Sequence, residues 1–201
     1  DHPNDHREHV REHIRDKQEL LLISLKEFYS QDSNKELIIP IVKQQTSISL
    51  RLLDWLVTNY AKQNDINYML TTKNFSIWLD YKNQLKAYSK RQFDPFCRRK
   101  RLFYNILTNE TVNLENKNDI KKFADREDGF ITTVGQLNFF RWALVNRVVD
   151  YAFDNIGKIE SDMLLSADSR KLQSQGKRRR ELSKIKKGIY KRDVKVIIEF
   201  P

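Results

Sequence analysis

The residues with the best spacing to bind a metal are four histidines near the start of the chain. They are separated by four, three and four residues, which places the imidazoles near one side of a helix, and two imidazoles one turn apart can chelate a transition metal. No cysteine lies nearby to complete a zinc site, and the neighbouring acids are equally typical of a solvated helix face. We therefore predict no metal site and no cofactor, with a pH-sensitive helical contact as the alternative. The histidines are His2, His6, His9 and His13.

Catalytic side chains do not follow the pattern of a common enzyme class. The serines and the single cysteine, Cys97, have no histidine near them in sequence, and neither a GxSxG motif nor a phosphate-binding glycine loop occurs. Four acids can assemble a metal site in space, although polar loops often carry such residues without function. These acids are Asp94, Asp125, Glu127 and Asp128. The sequence therefore predicts a non-enzymatic protein.

A first cluster of cations lies between residues 82 and 101, where the net charge is +7. Three of its lysines are spaced at i, i+4 and i+8, so they form one ridge along a helix. Such a row of cations matches the phosphates of a nucleic acid. The predicted binding residues are Lys82, Lys86, Lys90, Arg91, Arg98, Arg99, Lys100 and Arg101.

An apolar stripe runs beside the lysine ridge, and exposed aromatic rings of this kind can stack on bases. Its members are Trp78, Tyr81, Leu85 and Tyr88. Because the spacing is also that of core residues, the prediction depends on phosphate contact by the cations and not on stacking.

A second cluster, between residues 170 and 192, carries eleven basic residues against one acid. Each phosphate that such cations neutralise releases counterions, so the segment predicts salt-dependent binding. The alternatives are a nuclear import signal, contact with anionic lipid and binding to an acidic protein. Insertion into a membrane is not favoured, because the segment has no apolar face. The predicted binding residues are Arg170, Lys171, Lys177, Arg178, Arg179, Arg180, Lys184, Lys186 and Lys187.

The elements that must position these cations are predicted to be mainly helical. A hydrophobic content of 39% with only five glycines and four prolines favours a predominantly helical α+β fold. Apolar periodicity predicts about four main helices, the last opened by a capping box in which Thr133 and Gln136 bond reciprocally and closed by Gly157. These helices cover residues 5–30, 46–60, 75–93 and 133–157.

Short strands are predicted at residues 66–70, in a small hairpin of residues 102–107 with 111–114, and at the C-terminal end of the chain. The segments around residues 38–41 and 116–128 are predicted to be connections. Three regions follow from this pattern: a mainly helical globular domain at 1–165, a basic arm at 166–192 that is disordered or helical only when bound, and a terminal strand at 193–201.

Four stretches of the chain form recognisable blocks, and they read LDWLVTNY at 53–60, YKNQLKAYSK at 81–90, QFDPFCRR at 92–99 and TTVGQLNFFRWA at 132–143. These blocks resemble a poorly characterised family of nucleocytoplasmic large DNA virus proteins that includes an iridovirus immediate-early protein. The resemblance covers roughly residues 50–165 and carries over no catalytic residue. It implies a viral protein made in an infected cell, acting near viral DNA or in the virion.

Taken together, the charge pattern and the resemblance predict a non-enzymatic viral protein that binds nucleic acid, with DNA favoured over RNA. The alternative is a virion structural or scaffold protein whose basic arm binds acidic protein partners. A transcription-associated factor that recruits polymerase is a third interpretation. The expected location is the cytoplasm or nucleus of the infected cell, or the virion. The aliphatic run at residues 20–23 is too short to span a membrane, so no membrane insertion is predicted.

Overall fold

The computed structural model describes the backbone of residues 3–181 and the side chains of residues 17–170. Two compact units divide the chain, the first ending at Met163 and the second beginning at Leu164. Helices and two small antiparallel sheets build the described part, so the predicted α+β class is confirmed. The number of helices in that part exceeds the predicted four.

Helix α1, Pro3–Ser30, confirms the predicted first helix. Leu21, Leu25 and Tyr29 are buried at intervals of four residues, so one face of α1 packs on the core. The Tyr29 hydroxyl donates a 2.8 Å hydrogen bond to the Leu137 carbonyl, which ties α1 to a helix more than 100 residues away.

Helix α2, Asp32–Val42, replaces the connection predicted around residues 38–41. Pro40 lies inside this helix and removes one backbone donor. Ile38 and Ile41 are each 1% exposed, and burying two isoleucines outweighs the loss of that bond. The predicted connection was wrong because the burial of these isoleucines depends on the tertiary fold, which the local sequence does not contain.

The predicted helix at 46–60 is confirmed as three consecutive helical segments. They are α3 at Leu50–Trp55, a π-helical turn at Leu56–Tyr60 and α4 at Ala61–Gln63. Ser49 caps the first turn, because its hydroxyl accepts from the Leu52 amide at 3.1 Å.

A hairpin of β1, Asn67–Leu70, and β2, Lys73–Ser76, follows, and the predicted strand at 66–70 is confirmed. Helix α5, Ile77–Ala87, is shorter than the predicted span of 75–93. Phe75 belongs to β2 instead, where it pairs with Tyr68 across the hairpin. Strand pairing has overridden the helical periodicity at this end of α5.

The second sheet has the order β4-β3-β5, and all its neighbours are antiparallel. Strands β3, Leu102–Asn105, and β4, Thr111–Asn113, confirm the predicted hairpin. Strand β5, Gly129–Thr132, was not predicted. Helix α6, Lys117–Ala124, lies where a loop was predicted, and Asn116 opens it with a capping box.

The predicted helix at 133–157 consists of several shorter helices. Helix α7, Val134–Val145, ends before Arg147, whose φ of 56° is left-handed. Helix α8 covers Val148–Asp154 and α9 covers Ile156–Glu181. The prediction that a glycine ends this region was wrong, since Gly157 lies within α9.

Residues 166–181 belong to the arm that was predicted to be disordered or helical only when bound. In the structure they continue α9. The rest of the arm and the predicted strand at 193–201 lie outside the described residues. Of the helices that the structure describes, none is both long and apolar enough to cross a membrane.

Candidate nucleic-acid interface

The loop of residues 88–101, which we call the basic loop, connects α5 to β3 and is fixed by side chains of α7. The Gln136 amide nitrogen donates to the Pro95 carbonyl at 2.7 Å, and that of Asn138 donates to the Gln92 carbonyl at 2.9 Å. Asn138 is only 2% exposed, so this bond is shielded from water. The loop therefore has an anchored backbone.

The start of α7 adds further contacts to the same loop. The Thr133 hydroxyl donates to the Cys97 carbonyl at 3.3 Å, and the Asp94 amide donates to the Gly135 carbonyl at 3.2 Å. An added Cβ at Gly135 would lie 2.9 Å from the Arg91 carbonyl oxygen, so the close approach of loop and helix requires glycine here.

The predicted capping box is half correct. Thr133 caps α7, because its hydroxyl accepts from the Gln136 amide at 3.2 Å. The reciprocal bond from the Gln136 side chain was wrongly predicted. That side chain instead bonds to Pro95, and its oxygen accepts from the Thr132 hydroxyl at 3.1 Å. Gln136 thus serves the loop rather than the helix end.

Phe93 is the apolar anchor of the basic loop and is 1% exposed. Its ring centroid lies 5.5 Å from that of Phe139, 5.6 Å from that of Trp142 and 5.9 Å from that of Tyr81. Phe96, three residues later, is 41% exposed. The loop therefore turns one aromatic ring into the core and leaves the other accessible.

The cations predicted in the first cluster are exposed, except for Arg101, which is half-buried. Among the residues whose side chains are described, none of the eight forms an ion pair, since the three ion pairs found there join other residues. Lys100 donates to the Gln18 side chain at 3.2 Å, a neutral partner that leaves its charge in place. The cluster thus remains cationic in the fold. Its members are Lys82, Lys86, Lys90, Arg91, Arg98, Arg99, Lys100 and Arg101.

The predicted lysine ridge holds only for Lys82 and Lys86, because α5 ends at Ala87 and Lys90 lies in the basic loop. The aromatic stripe beside these two lysines packs inward. Tyr81 is buried, whereas Trp78 and Tyr88 are partly buried against the core. The ammonium groups of Lys62 and Lys82 each lie 5.3 Å from the centroid of the Trp78 ring. Stacking of bases on this stripe is therefore restricted, as its core-like spacing indicated.

Residues 2–199 match the DUF7197 family, which is described as a family of unknown function. The chain belongs to this family. Uncharacterized protein L507 of Acanthamoeba polyphaga mimivirus is 35% identical over 163 residues, which is 79% of this chain and 58% of that protein. The DUF7197 chain therefore spans less than two thirds of that relative's length. No solved structure matches the DUF7197 chain.

The resemblance drawn from the sequence is thus confirmed at the level of a poorly characterised family with a member from a large DNA virus. Neither the family description nor the name of the mimivirus protein indicates a ligand.

Tyr81 is influenced by two acids, Asp54 of α3 and Asp94 of the basic loop itself. Burial, followed by the nearby carboxylates of Asp54 and Asp94, raises the pKa of Tyr81 to about 12. Burial also raises the pKa of Asp54, and the charge of Asp94 raises it further. Asp94 has a backbone partner, since its carboxylate accepts from the Phe96 amide at 2.8 Å. Asp54 is therefore a carboxylate that the fold holds at an energetic cost when it is ionised.

We expect Asp54→Asn to stabilise the protein near neutral pH and to have little effect in acid. The pKa of Asp54 is higher in the folded state than its unfolded value near 3.8, so wild-type stability falls as the pH rises through that interval. Asparagine removes the ionised form. Thermal unfolding at about pH 7 and below about pH 4 measures the difference.

The exposed Asp65→Asn is the matched control, because it removes the same charge at a site whose φ of 45° suits asparagine. An Asp54→Asn protein that is no more stable than this control at neutral pH would contradict the prediction.

The second predicted cluster is described only in part. Arg170 is exposed, and its Nε donates to the Ser166 carbonyl at 3.2 Å. Lys171 and residues 177–180 lie on the α9 backbone, with side chains outside the described set. Lys184, Lys186 and Lys187 lie outside the described residues altogether, as do the histidine side chains.

The four acids that the sequence offered for a metal site do not form such a site in the structure. Asp128 pairs with Arg126, and hydrogen bonding to that guanidinium lowers the pKa of Asp128. No group of three or more His, Cys, Asp or Glu side chains suited to a metal ion occurs among the described residues.

The residues that sequence reasoning missed are the anchors of the loop, Gln136 and Asn138. Their signal was present, because these two polar side chains interrupt the apolar sequence in the first half of α7. Buried polar groups need partners, and here the partners are carbonyls of the basic loop.

Proposed function

We propose that this protein binds nucleic acid without catalysing a reaction, through phosphate contacts made by the basic loop and the adjoining face of α5. The observation that carries the proposal is a net charge of +7 within residues 82–101 that no carboxylate among the described side chains neutralises. Gathering like charges costs self-repulsion, which a polyanionic ligand offsets.

The fixed backbone of the basic loop supports this function. A loop that is already ordered loses less conformational entropy on binding than a free tail does. Its arginines present planar guanidinium groups that match phosphate oxygens. Contacts to phosphate set position and affinity but carry no base sequence, so binding is sequence-tolerant. The exposed ring of Phe96 offers a surface for one base.

The basic arm extends the same function toward the C-terminus in this proposal. Its eleven cations between residues 170 and 192 add phosphate contacts that strengthen binding at low salt. DNA is the favoured ligand. The resemblance to a family that includes an iridovirus immediate-early protein agrees with this proposal, in which the protein is made in the infected cell and acts near viral DNA in the cytoplasm or nucleus.

A triple variant of the basic loop, Arg98→Gln, Arg99→Gln and Lys100→Gln, tests the proposal. For duplex DNA we expect the slope of log affinity against log salt to become shallower by about 0.9 for each lost phosphate contact, or nearly three in total. Affinity at low salt should fall at least tenfold. Fluorescence anisotropy with duplex DNA, single-stranded DNA and RNA at several salt concentrations measures both quantities.

The matched control removes three exposed lysines elsewhere on the first unit, Lys73→Gln, Lys117→Gln and Lys121→Gln. It has the same net charge as the loop variant, so a general electrostatic effect would weaken both proteins equally. Equal losses, or an affinity that does not depend on salt, would contradict the proposed interface.

The second candidate function is a virion structural or scaffold role. Leu164 and Leu165 are 64% and 70% exposed on α9, and adjacent exposed leucines suit a protein contact. Co-sedimentation with capsid components, without retention on DNA or RNA, would favour this function over the first.

A further inference from the structure

A cleft of about 260 Å³ lies beside the basic loop and has a cationic wall. Arg98 and Arg101 line it from the loop, and Thr132, Thr133 and Gln136 line it from the end of β5 and the start of α7. None of the lining residues carries a carboxylate. Within the described side chains, neither arginine forms an ion pair. The cleft therefore combines a concave shape with positive charge that no described carboxylate pairs with.

The polar wall of the cleft is already committed to internal bonds. The Thr132 hydroxyl bonds to the Gln136 side chain, and the Thr133 hydroxyl donates to the Cys97 carbonyl. These bonds fix the wall, so the two arginines are the charged side chains of the lining that can bind a ligand. Guanidinium groups bind phosphate oxygens in a planar, bidentate geometry.

A neighbouring cleft of about 540 Å³ is lined by Lys100 and Arg101, but also by Glu19 and Glu115, so its two cations are offset by two acids. Its carboxylates would repel an anion. The smaller cleft is thus the better anion site, and its volume lies below the range of about 300–1,000 Å³ typical of clefts for drug-sized ligands. It suits a phosphate group rather than a whole nucleotide.

We propose that this cleft binds the terminal phosphomonoester of a nucleic-acid strand. The inference rests on the proposed nucleic-acid binding and adds recognition of a phosphorylated end. A phosphomonoester carries a charge of about −1.5 to −2 at neutral pH, which two guanidinium groups match. An internal phosphodiester carries only one charge and is joined to sugars on both sides, so it fits a surface better than a cleft.

Oligonucleotides of one sequence with 5′-phosphate, 3′-phosphate or hydroxyl ends test the inference on the full chain. We expect the oligonucleotide with one of the two phosphorylated ends to bind at least about tenfold more tightly than the one with hydroxyl ends. This gain is typical of a charge-assisted hydrogen-bonded pair. Arg98→Gln should abolish most of that preference, and because Arg98 is exposed the variant should fold. Arg101→Gln should give the same loss.

Lys90→Gln is the matched control, since it removes one exposed cation of the same loop that does not line the cleft. It should weaken binding to all oligonucleotides by the same factor. The ratio of the affinities for phosphorylated and hydroxyl ends should therefore stay unchanged. Equal affinity for phosphorylated and hydroxyl ends in the wild-type protein would overturn the inference and leave the proposed function standing. Failure of every oligonucleotide to bind would overturn both.

Discussion

Replacing Phe93 by alanine is expected to lower the free energy of unfolding by about 3–5 kcal/mol, the range for removing a fully buried phenylalanine ring. Phe93 is 1% exposed and packs against Phe139, Trp142 and Tyr81. Alanine would leave a cavity between these rings, because they belong to two helices that cannot both move in to fill it. Chemical denaturation of the two proteins, fitted with a common slope, measures the loss.

The same change should also weaken nucleic-acid binding at a temperature where the variant is still folded. Phe93 fixes the middle of the basic loop, so its loss lets the flanking cations move and raises the entropic cost of binding. Phe96→Ala is the matched control for stability, since Phe96 lies in the same loop at 41% exposure. It should cost less than about 1 kcal/mol of stability, as surface substitutions usually do. Equal destabilisation by the two changes would show that Phe93 is not the anchor.

Replacing Gly129 by alanine is expected to destabilise the protein by about 3 kcal/mol, the upper end of the range for an overpacked site. Gly129 begins β5 and pairs with Asn105 of β3. An added Cβ would lie 2.3 Å from the Tyr104 carbonyl oxygen and 2.3 Å from Cζ of Phe103. The carbonyl belongs to the central strand of the sheet, so it cannot move aside without breaking the β3–β5 pairing.

Gly157→Ala provides the control for this glycine. An added Cβ at Gly157 meets no atom within 4 Å, and the residue lies in α9. Alanine favours helix by up to about 1 kcal/mol over glycine, so this variant should be equal to or more stable than the wild type. Thermal unfolding of both variants separates the two cases, and a Gly129→Ala protein as stable as the control would contradict the packing argument.

Strands and helices whose signals are local were predictable from the sequence. The apolar repeat of Leu21 and Leu25 identifies the buried face of α1 by itself, whereas the sequence favoured Phe28 over the buried Tyr29 as its aromatic member. Thr133 identifies the start of α7 because its hydroxyl satisfies an amide three residues later. The hairpin of β3 and β4 needs only a short turn between its strands.

Elements whose stability comes from distant partners were not predictable in the same way. Strand β5 has four residues, and it is identified by its pairing with β3 about 27 residues earlier in the chain. Helix α2 keeps a proline because Ile38 and Ile41 bury in a core made by other helices. Such gains depend on which surfaces meet, and a local pattern does not contain that information.

The candidate interface divides along the same line. The sequence by itself determined which residues are cationic and that they cluster, because charge is a property of each side chain. Only the tertiary structure decided that the cations of the basic loop remain unpaired with carboxylates among the described residues. It also decided that Gln136 and Asn138 fix the loop from about 40 residues away in sequence. The physical reason is that pairing and anchoring depend on distances between atoms, which the chain sets only when it folds.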